Sequence, residues 1–271
     1  MKNVFFSIIT PVFNGKNYIN EYLASLKNQS FKYWEAIIID DKSDDNSYKF
    51  LKEATKDDKR FKIYQNQFIK NKPSPYAARN FGLTKIRGNY ISFLDIDDYW
   101  LPQKLESDYN FLNKFNSDIL IGNYIKANQS LTKGYLKPRL KFLSIDFQAI
   151  FCNPFPMLST TIKREVIGNI KFKSMYHEDY IFWREIIEKN KKCKYKLKID
   201  LNSSENAIYR MHNNSISHNR FKTLNWLRIC HGYFNQNILT IYFFLLIRIS
   251  LFIIEKLALS FKIIRKRNIK I

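Results

Sequence analysis

The chain has 271 residues, 45 Lys and Arg against 24 Asp and Glu, a net charge of +21, seven glycines and three cysteines. That length holds one full-sized core, or a core with a small second lobe. Cys152, Cys193 and Cys230 are far apart and form no Cys-x-x-Cys pair, which argues against a disulfide framework or a zinc site and for a reducing compartment. No Gly-x-Gly occurs either, so a dinucleotide fingerprint or glycine phosphate cradle is not expected.

In chain order, Phe5 to Thr10 reads as a buried strand. The apolar start is too short for a signal peptide, and Pro11 and Asn14 interrupt it. Pro11 to Gly15 is a turn. Tyr18, Tyr22, Leu23 and Leu26 then follow helical spacing. Trp34 to Ile39 is a second buried strand, ending in Asp40 and Asp41. Strand, helix, strand with continuous apolar strands implies a parallel α/β sheet, whose ligands bind outside the carboxyl ends of the strands. A strand near 61–65 comes next. Ala77, Ala78, Phe81, Leu83 and Ile86 can pack a helix on the sheet, with Arg79 near its carboxyl edge. Arg79 is then a surface salt bridge, or a bidentate clamp on phosphate or on Asp41.

Residues 90–94 form the strand that matters most. It runs straight into Asp95, Asp97 and Asp98. Carboxylates gathered at a buried strand exit repel one another and lose hydration, so a positive partner is expected there. A hard divalent cation, Mn²⁺ or Mg²⁺, held by one or two carboxylates and substrate phosphates, meets that need. Strand parity would aim Asp95 and Asp97 the same way. The plainer alternatives are an acidic turn or an N-cap for the helix that Pro102 opens.

Beyond it, 118–123 and 158–162 read as strands, 126–145 as a basic loop, and 178–189 as a helix. From Arg210 onward eleven bases face one acid, Glu255, so this stretch carries +10 of the +21. Residues 238–254 are apolar except for Arg248 near the middle, marginal for a spanning helix. Arg248, Glu255, Lys262 and Lys266 recur at seven and four, one narrow polar stripe on an otherwise apolar helix. This pattern predicts an amphipathic helix lying in a membrane interface, with packing on the domain as the alternative. Nucleic acid is not the expected partner, because its binding calls for a basic surface with exposed stacking aromatics.

These blocks resemble glycosyltransferase family 2, with its GT-A nucleotide-sugar fold. The matching residues are Ser7-Ile8-Ile9-Thr10-Pro11-Val12-Phe13-Asn14, the run Asp40 to Asp45, Ala78-Arg79-Asn80-Phe81-Gly82 and Phe93 to Trp100. His177-Glu178-Asp179-Tyr180 and Tyr209-Arg210-Met211-His212 also look like family signatures. Lys42 departs from it, where many members carry glycine or a small residue. The resemblance implies an α/β GT-A domain over 1–220. Its nucleotide-sugar half is 1–100, with a mostly parallel central sheet, and its acceptor half is 101–220. Residues 221–271 lie outside the resemblance and are expected, from their own charge and apolar pattern, to form a membrane-associating tail.

It further implies an inverting transfer from a UDP-sugar. Asp179 is then the general base, with Glu178 beside it as second candidate. Both could instead be first-turn acids favoured by the helix dipole. Asp97 holds the metal on the diphosphate, and Asp95 binds ribose or metal. Asp41 hydrogen-bonds the uracil, Pro11 lines the base pocket, and His212 lies near the diphosphate. Phe13, Asn14, Arg79 and Ile96 complete the expected nucleotide-sugar contacts. The implied acceptor is a lipid-diphosphate-linked sugar, such as GlcNAc-diphospho-undecaprenol, at the cytoplasmic face of the inner membrane. Glucose or galactose, joined β in O-antigen synthesis, is the expected donor sugar. An aspartate-based phosphatase would want Thr or Val where Tyr99 stands, and a nucleic-acid-binding protein would leave every acidic cluster without a role.

Overall fold

The computed structural model describes residues 5–66, 74–137, 145, 148–149, 152–212, 226, 229–260 and 267–269. Its centre is a parallel block in which β1 (Phe6–Val12) lies between β2 (Trp34–Asp40) and β4 (Tyr90–Phe93), and β3 (Phe61–Gln65) flanks β2. Successive side chains on a strand point to opposite faces. Ile8, Ala36 and Ile38 therefore enter one core, and Ile9, Ile37, Ile39 and Phe93 the other. Helices α1 (Ile19–Lys27), α2 (Ser47–Ala54) and α4 (Lys104–Phe115) cover the first face, through Tyr22, Leu26, Leu51 and Leu105. Helix α3 (Pro75–Leu83) and the helix Glu178–Lys192 cover the second, through Ala78, Phe182, Trp183 and Ile186. Burial on both faces explains why these strands are continuously apolar.

Pro11 has no N–H to give, and it falls beyond Ile9, the last β1 residue in register with β4. At the other end of the strand, Gly88 fits under β1. An added Cβ there would lie 2.6 Å from the Ser7 nitrogen and 2.8 Å from the Phe6 carbonyl carbon. Backbone cannot step aside as a side-chain tip can. Gly88→Ala is expected to cost about 1–3 kcal/mol by overpacking, read as a lower urea midpoint with an unchanged m-value.

The second half turns the sheet antiparallel. Strand β8 (Thr160–Lys163) pairs with β4, β6 (Ile119–Ala127) with β8, and β7 (Lys133–Leu136) with β6. The sheet is therefore mixed, with β1 to β4 paired in parallel and β4, β8, β6 and β7 paired antiparallel. Where a basic loop over 126–145 was expected, β6 and β7 form a hairpin. The Asn128 side-chain Oδ1 accepts the backbone N–H of Thr132 and Lys133, each at 2.9 Å. Residues 138–144 of that expected loop lie outside the described residues.

Strand β9 (Ile199–Arg210), not anticipated from sequence, runs parallel to β6. Its end pairs with β5 (Tyr99–Trp100), matching Tyr99 with Ile208. That pairing carries Arg210 and His212 back to the Asp95–Asp98 turn.

The C-terminal helix Ile238–Ser260 is 23 residues long, and much of its apolar surface is exposed. A window within it, Ile238–Ala258, has a mean hydropathy of 2.2. The expected polar stripe of Arg248, Glu255, Lys262 and Lys266 lies outside the described side chains. After the helix, β10 (Arg267–Asn268) returns to pair antiparallel with β7.

Candidate active site

Strands β1 and β2 end side by side, and their exit loops are tied together. Asn14 and Gly15 donate their N–H groups to the hydroxyls of Ser43 and Ser47, at 2.9 and 3.0 Å. Lys16 N–H donates to Asp45 at 2.9 Å, and Asp44 N–H to the Asn14 side chain at 3.0 Å. Asn14 thus serves as a loop tie, at a φ of 50°. Asp41 is buried and accepts hydrogen bonds from Asn66 Nδ2 at 2.8 Å and from the Ser74 N–H at 2.5 Å. Pro11 is half-buried, and Phe13 half-exposed, beside this loop pair.

Strand β4 stops at Phe93. Asp98 N–H then donates to the Asp95 carbonyl at 3.1 Å, closing a tight turn. The turn cancels strand parity, so Asp95 and Asp97 find different partners. Asp95 accepts Arg79 Nη2 at 2.8 Å. Asp97 lies 3.0 Å from His212 Nε2. Ile96 is buried against Gly15, where an added Cβ would lie 2.9 Å from Ile96 Cγ2; its side chain belongs to the core. Asp98 is buried and accepts the Arg210 N–H at 3.0 Å.

Arg79 is no surface ion pair, since its side chain is 7% exposed. Nor does it serve Asp41, which Asn66 and Ser74 hold. Its Nη1 donates to Glu178, so one buried guanidinium joins the β4 exit to the helix Glu178–Lys192. Its centre also sits 5.7 Å from the Phe172 ring centroid. Two acids on one buried cation form a charge-assisted, geometrically fixed link. Next to Glu178, Asp179 accepts Asn153 Nδ2 at 2.7 Å.

Two site residues had no role assigned from sequence. Arg210 is buried, donates Nε–H to the Asp97 carbonyl at 2.7 Å, and reaches the Gln129 carbonyl and Glu21. It braces the acidic turn from below. Its place in the Tyr209–His212 signature was the available clue. Asn153, which orients Asp179, carried no sequence signal.

A cleft of about 830 Å³ opens between these elements. Arg79, Asp95, Glu178 and Asp179 line it, facing Tyr124, Lys126 and Tyr209 from β6 and β9. Ser74 lines it too, and its N–H ties it to Asp41. Pro11, Phe13, Asn14, Asp41, Ile96, Asp97 and His212 lie outside that lining, Pro11 within β1 and the others on the segments that follow β1, β2, β4 and β9.

Burial, with Asp95 beside it, raises the pKa of the Asp97 carboxyl. Burial and the charges of Asp97 and Asp95 push Asp98 up further. Burial lifts Glu178 to about 7, against the pull of Arg79. The folded state therefore holds a proton on Glu178 that the unfolded chain, titrating near 4.5, has already released. Between those values stability falls as pH rises. Glu178→Gln should flatten that slope, measured as the difference in urea midpoint between the two ends of the window. An unchanged slope would assign the titration to other groups.

The Glycosyl transferase family 2 profile matches residues 7–214. The chain belongs to glycosyl transferase family 2. An uncharacterized glycosyltransferase of Haemophilus influenzae is 34% identical over 221 residues, covering 81% of this chain and 84% of that one. The UDP-Glc:alpha-D-GlcNAc-diphosphoundecaprenol beta-1,3-glucosyltransferase WfgD of Escherichia coli is 29% identical over 253 residues, covering 91% and 92%. Among solved structures, S. aureus TarS in complex with UDP-GlcNAc superposes with a TM-score of 0.67 at 21% identity. The match covers 84% of this chain and 66% of that longer one, and shows the shared GT-A fold.

Family membership also gives the Lys42 departure a physical reading. Lys42 has a φ of 67°. That left-handed region favours glycine and costs other residues roughly 1–2 kcal/mol, so the glycine of many family 2 members suits the position.

Proposed function

We propose that this glycosyltransferase moves a hexose, glucose or galactose, from a UDP-sugar to a lipid-diphosphate-linked acceptor sugar, with inversion to a β linkage. The observation that carries the reading is one cleft bounded by the acidic β4 exit on one side and by the helix start at Glu178 and Asp179 on the other, with Arg79 joining Asp95 to Glu178. The similarity to WfgD over nearly the whole of both chains favours an acceptor of the GlcNAc-diphospho-undecaprenol kind, and so a role in O-antigen or related polysaccharide synthesis at the cytoplasmic face of the inner membrane.

Each side chain then has a task. Asp41, held by Asn66 and Ser74, accepts from the uracil, with Pro11 and Phe13 beside it. Asp179 takes the proton of the acceptor hydroxyl. Asn153 occupies its Oδ2 and fixes its direction. Glu178 is committed to Arg79, which leaves Asp179 as the base. Arg79 holds Asp95 toward the donor, and His212 orients Asp97.

Among the described residues no group of three His, Cys, Asp or Glu side chains forms a closed metal cage. Asp95 and Asp97 nonetheless suit Mn²⁺ or Mg²⁺, which are held by one or two carboxylates plus substrate phosphates. The raised pKa of Asp97 reflects first its burial and then the charge of Asp95 beside it, both of which a bound cation would offset. Such an ion supplies charge stabilisation to a departing diphosphate.

The test is a panel of UDP-sugars assayed on synthetic lipid-diphosphate acceptors. Transfer from UDP-glucose or UDP-galactose to the GlcNAc-capped lipid, with a β product, is expected. Transfer only to an acceptor without a lipid diphosphate would reject the reading.

A further inference from the structure

We infer that the helix Ile238–Ser260 lies in the plane of an anionic lipid leaflet and does not cross it. The inference deepens the lipid-linked reading above by naming the surface that meets the membrane and how it lies. By length alone the helix could span. Its 23 residues cover about 34 Å at ~1.5 Å each, against a hydrocarbon core of about 30 Å. Its two attachments forbid that.

The near end is fixed on the catalytic domain. Ile241 is buried with Trp226, Cys230 and, from the helix that carries Asp179, Tyr180 and Ile181. Leu245 and Leu251 pack partly against the same cluster. The far end is fixed as well. Arg267 and Asn268 pair with Gly134 and Lys133 of β7. Ile269 N–H donates to the Thr132 carbonyl at 2.9 Å, and its side chain packs by Tyr99 and Ile208. Between Ser260 and Arg267 the chain advances seven residues, which reach at most about 25 Å even when fully extended. A helix that crossed the bilayer would leave Arg267 unable to return to β7. It would also draw Lys262, Arg265 and Lys266 through hydrocarbon.

What remains is a helix strapped at both ends with its outer side bare. Leu239, Tyr242, Leu246, Ile249, Ile253 and Leu257 recur at threes and fours on that side, each between 47% and 75% exposed. Charge selects the occupant. From Ile238 to Ile271 seven bases stand against one acid. A second copy would set a strongly positive segment against its equal, whereas an anionic leaflet offers the opposite sign and an apolar interior together.

Spin labels on Leu239→Cys, Leu246→Cys and Ile253→Cys, each in the full chain with exposed Cys193→Ser, test the geometry on vesicles of phosphatidylcholine with about a quarter phosphatidylglycerol. Similar, shallow depths at all three positions are expected. A profile deepest at position 246 and shallow at both ends would overturn the proposal in favour of a span. Full-length protein left in the supernatant at low salt, or sedimenting as a dimer that ignores the vesicles, would overturn it too. The double variant Leu246→Glu, Ile253→Glu should lose at least tenfold in vesicle affinity and keep the thermal shift given by UDP with Mn²⁺. These readouts need no sugar transfer, so a failed acceptor assay and a failed leaflet assay are separate results.

Discussion

Asp179→Asn lowers the rate of sugar transfer by roughly 10²- to 10⁴-fold, the usual range for losing a general base, while binding of the UDP-sugar stays near wild type. The substitution is isosteric and keeps an oxygen for Asn153, whose Nδ2 lies 2.7 Å from the Asp179 carboxylate. What it removes is the capacity to accept a proton. Glu178→Gln separates the two neighbours. It leaves Asp179 intact and keeps an oxygen for Arg79 but removes the negative charge paired with it, so it should act chiefly through donor positioning. A crippling Glu178→Gln beside a mild Asp179→Asn would reverse the assignment within the pair.

Asp97→Ala is expected to cut turnover by a thousandfold or more, because charge stabilisation of a leaving diphosphate is worth several kcal/mol. The fold should survive, since the Asp97 side chain is 34% exposed and Arg210 holds the turn through the Asp97 backbone carbonyl. Thermal shifts separate the causes. Wild type should be stabilised by UDP only when Mn²⁺ or Mg²⁺ is present, and the variant should lose that dependence. Full wild-type activity in excess EDTA would end the metal role.

The elements with strong local signals were legible in the sequence. The parallel strands β1, β2 and β4 matched because burial on both faces leaves a continuous apolar run, and β3, half-buried at the end of the strand order, matched on a weaker signal. The helix opening at Glu178 matched for the same kind of reason, an acidic first turn followed by helical apolar spacing. What failed depended on partners distant in the chain. Strand β9 reads as polar and undistinguished, and it exists because β6 and β5 offer it edges. The direction of Asp97 is set by His212, 115 residues away, and that of Glu178 by Arg79, 99 residues away. No local pattern encodes such pairings. Ile96, which the family resemblance puts among the nucleotide-sugar contacts, turns its side chain inward to Gly15 at the tight turn, a direction its sequence position does not encode.

The helix that begins at Glu178 has two unrelated neighbours within its first turn. Glu178 and Asp179 face the cleft, whereas Tyr180 and Ile181 pack against Ile241, Trp226 and Cys230. The residues that seat the outer helix and the proposed base are therefore separated by less than a single turn of backbone. Catalytic groups displaced by about 1 Å can lose a hundredfold in rate. With the outer helix in a leaflet, lateral pressure and acyl-chain order, which belong to the lipid and not to the protein, would then enter the rate constant of sugar transfer.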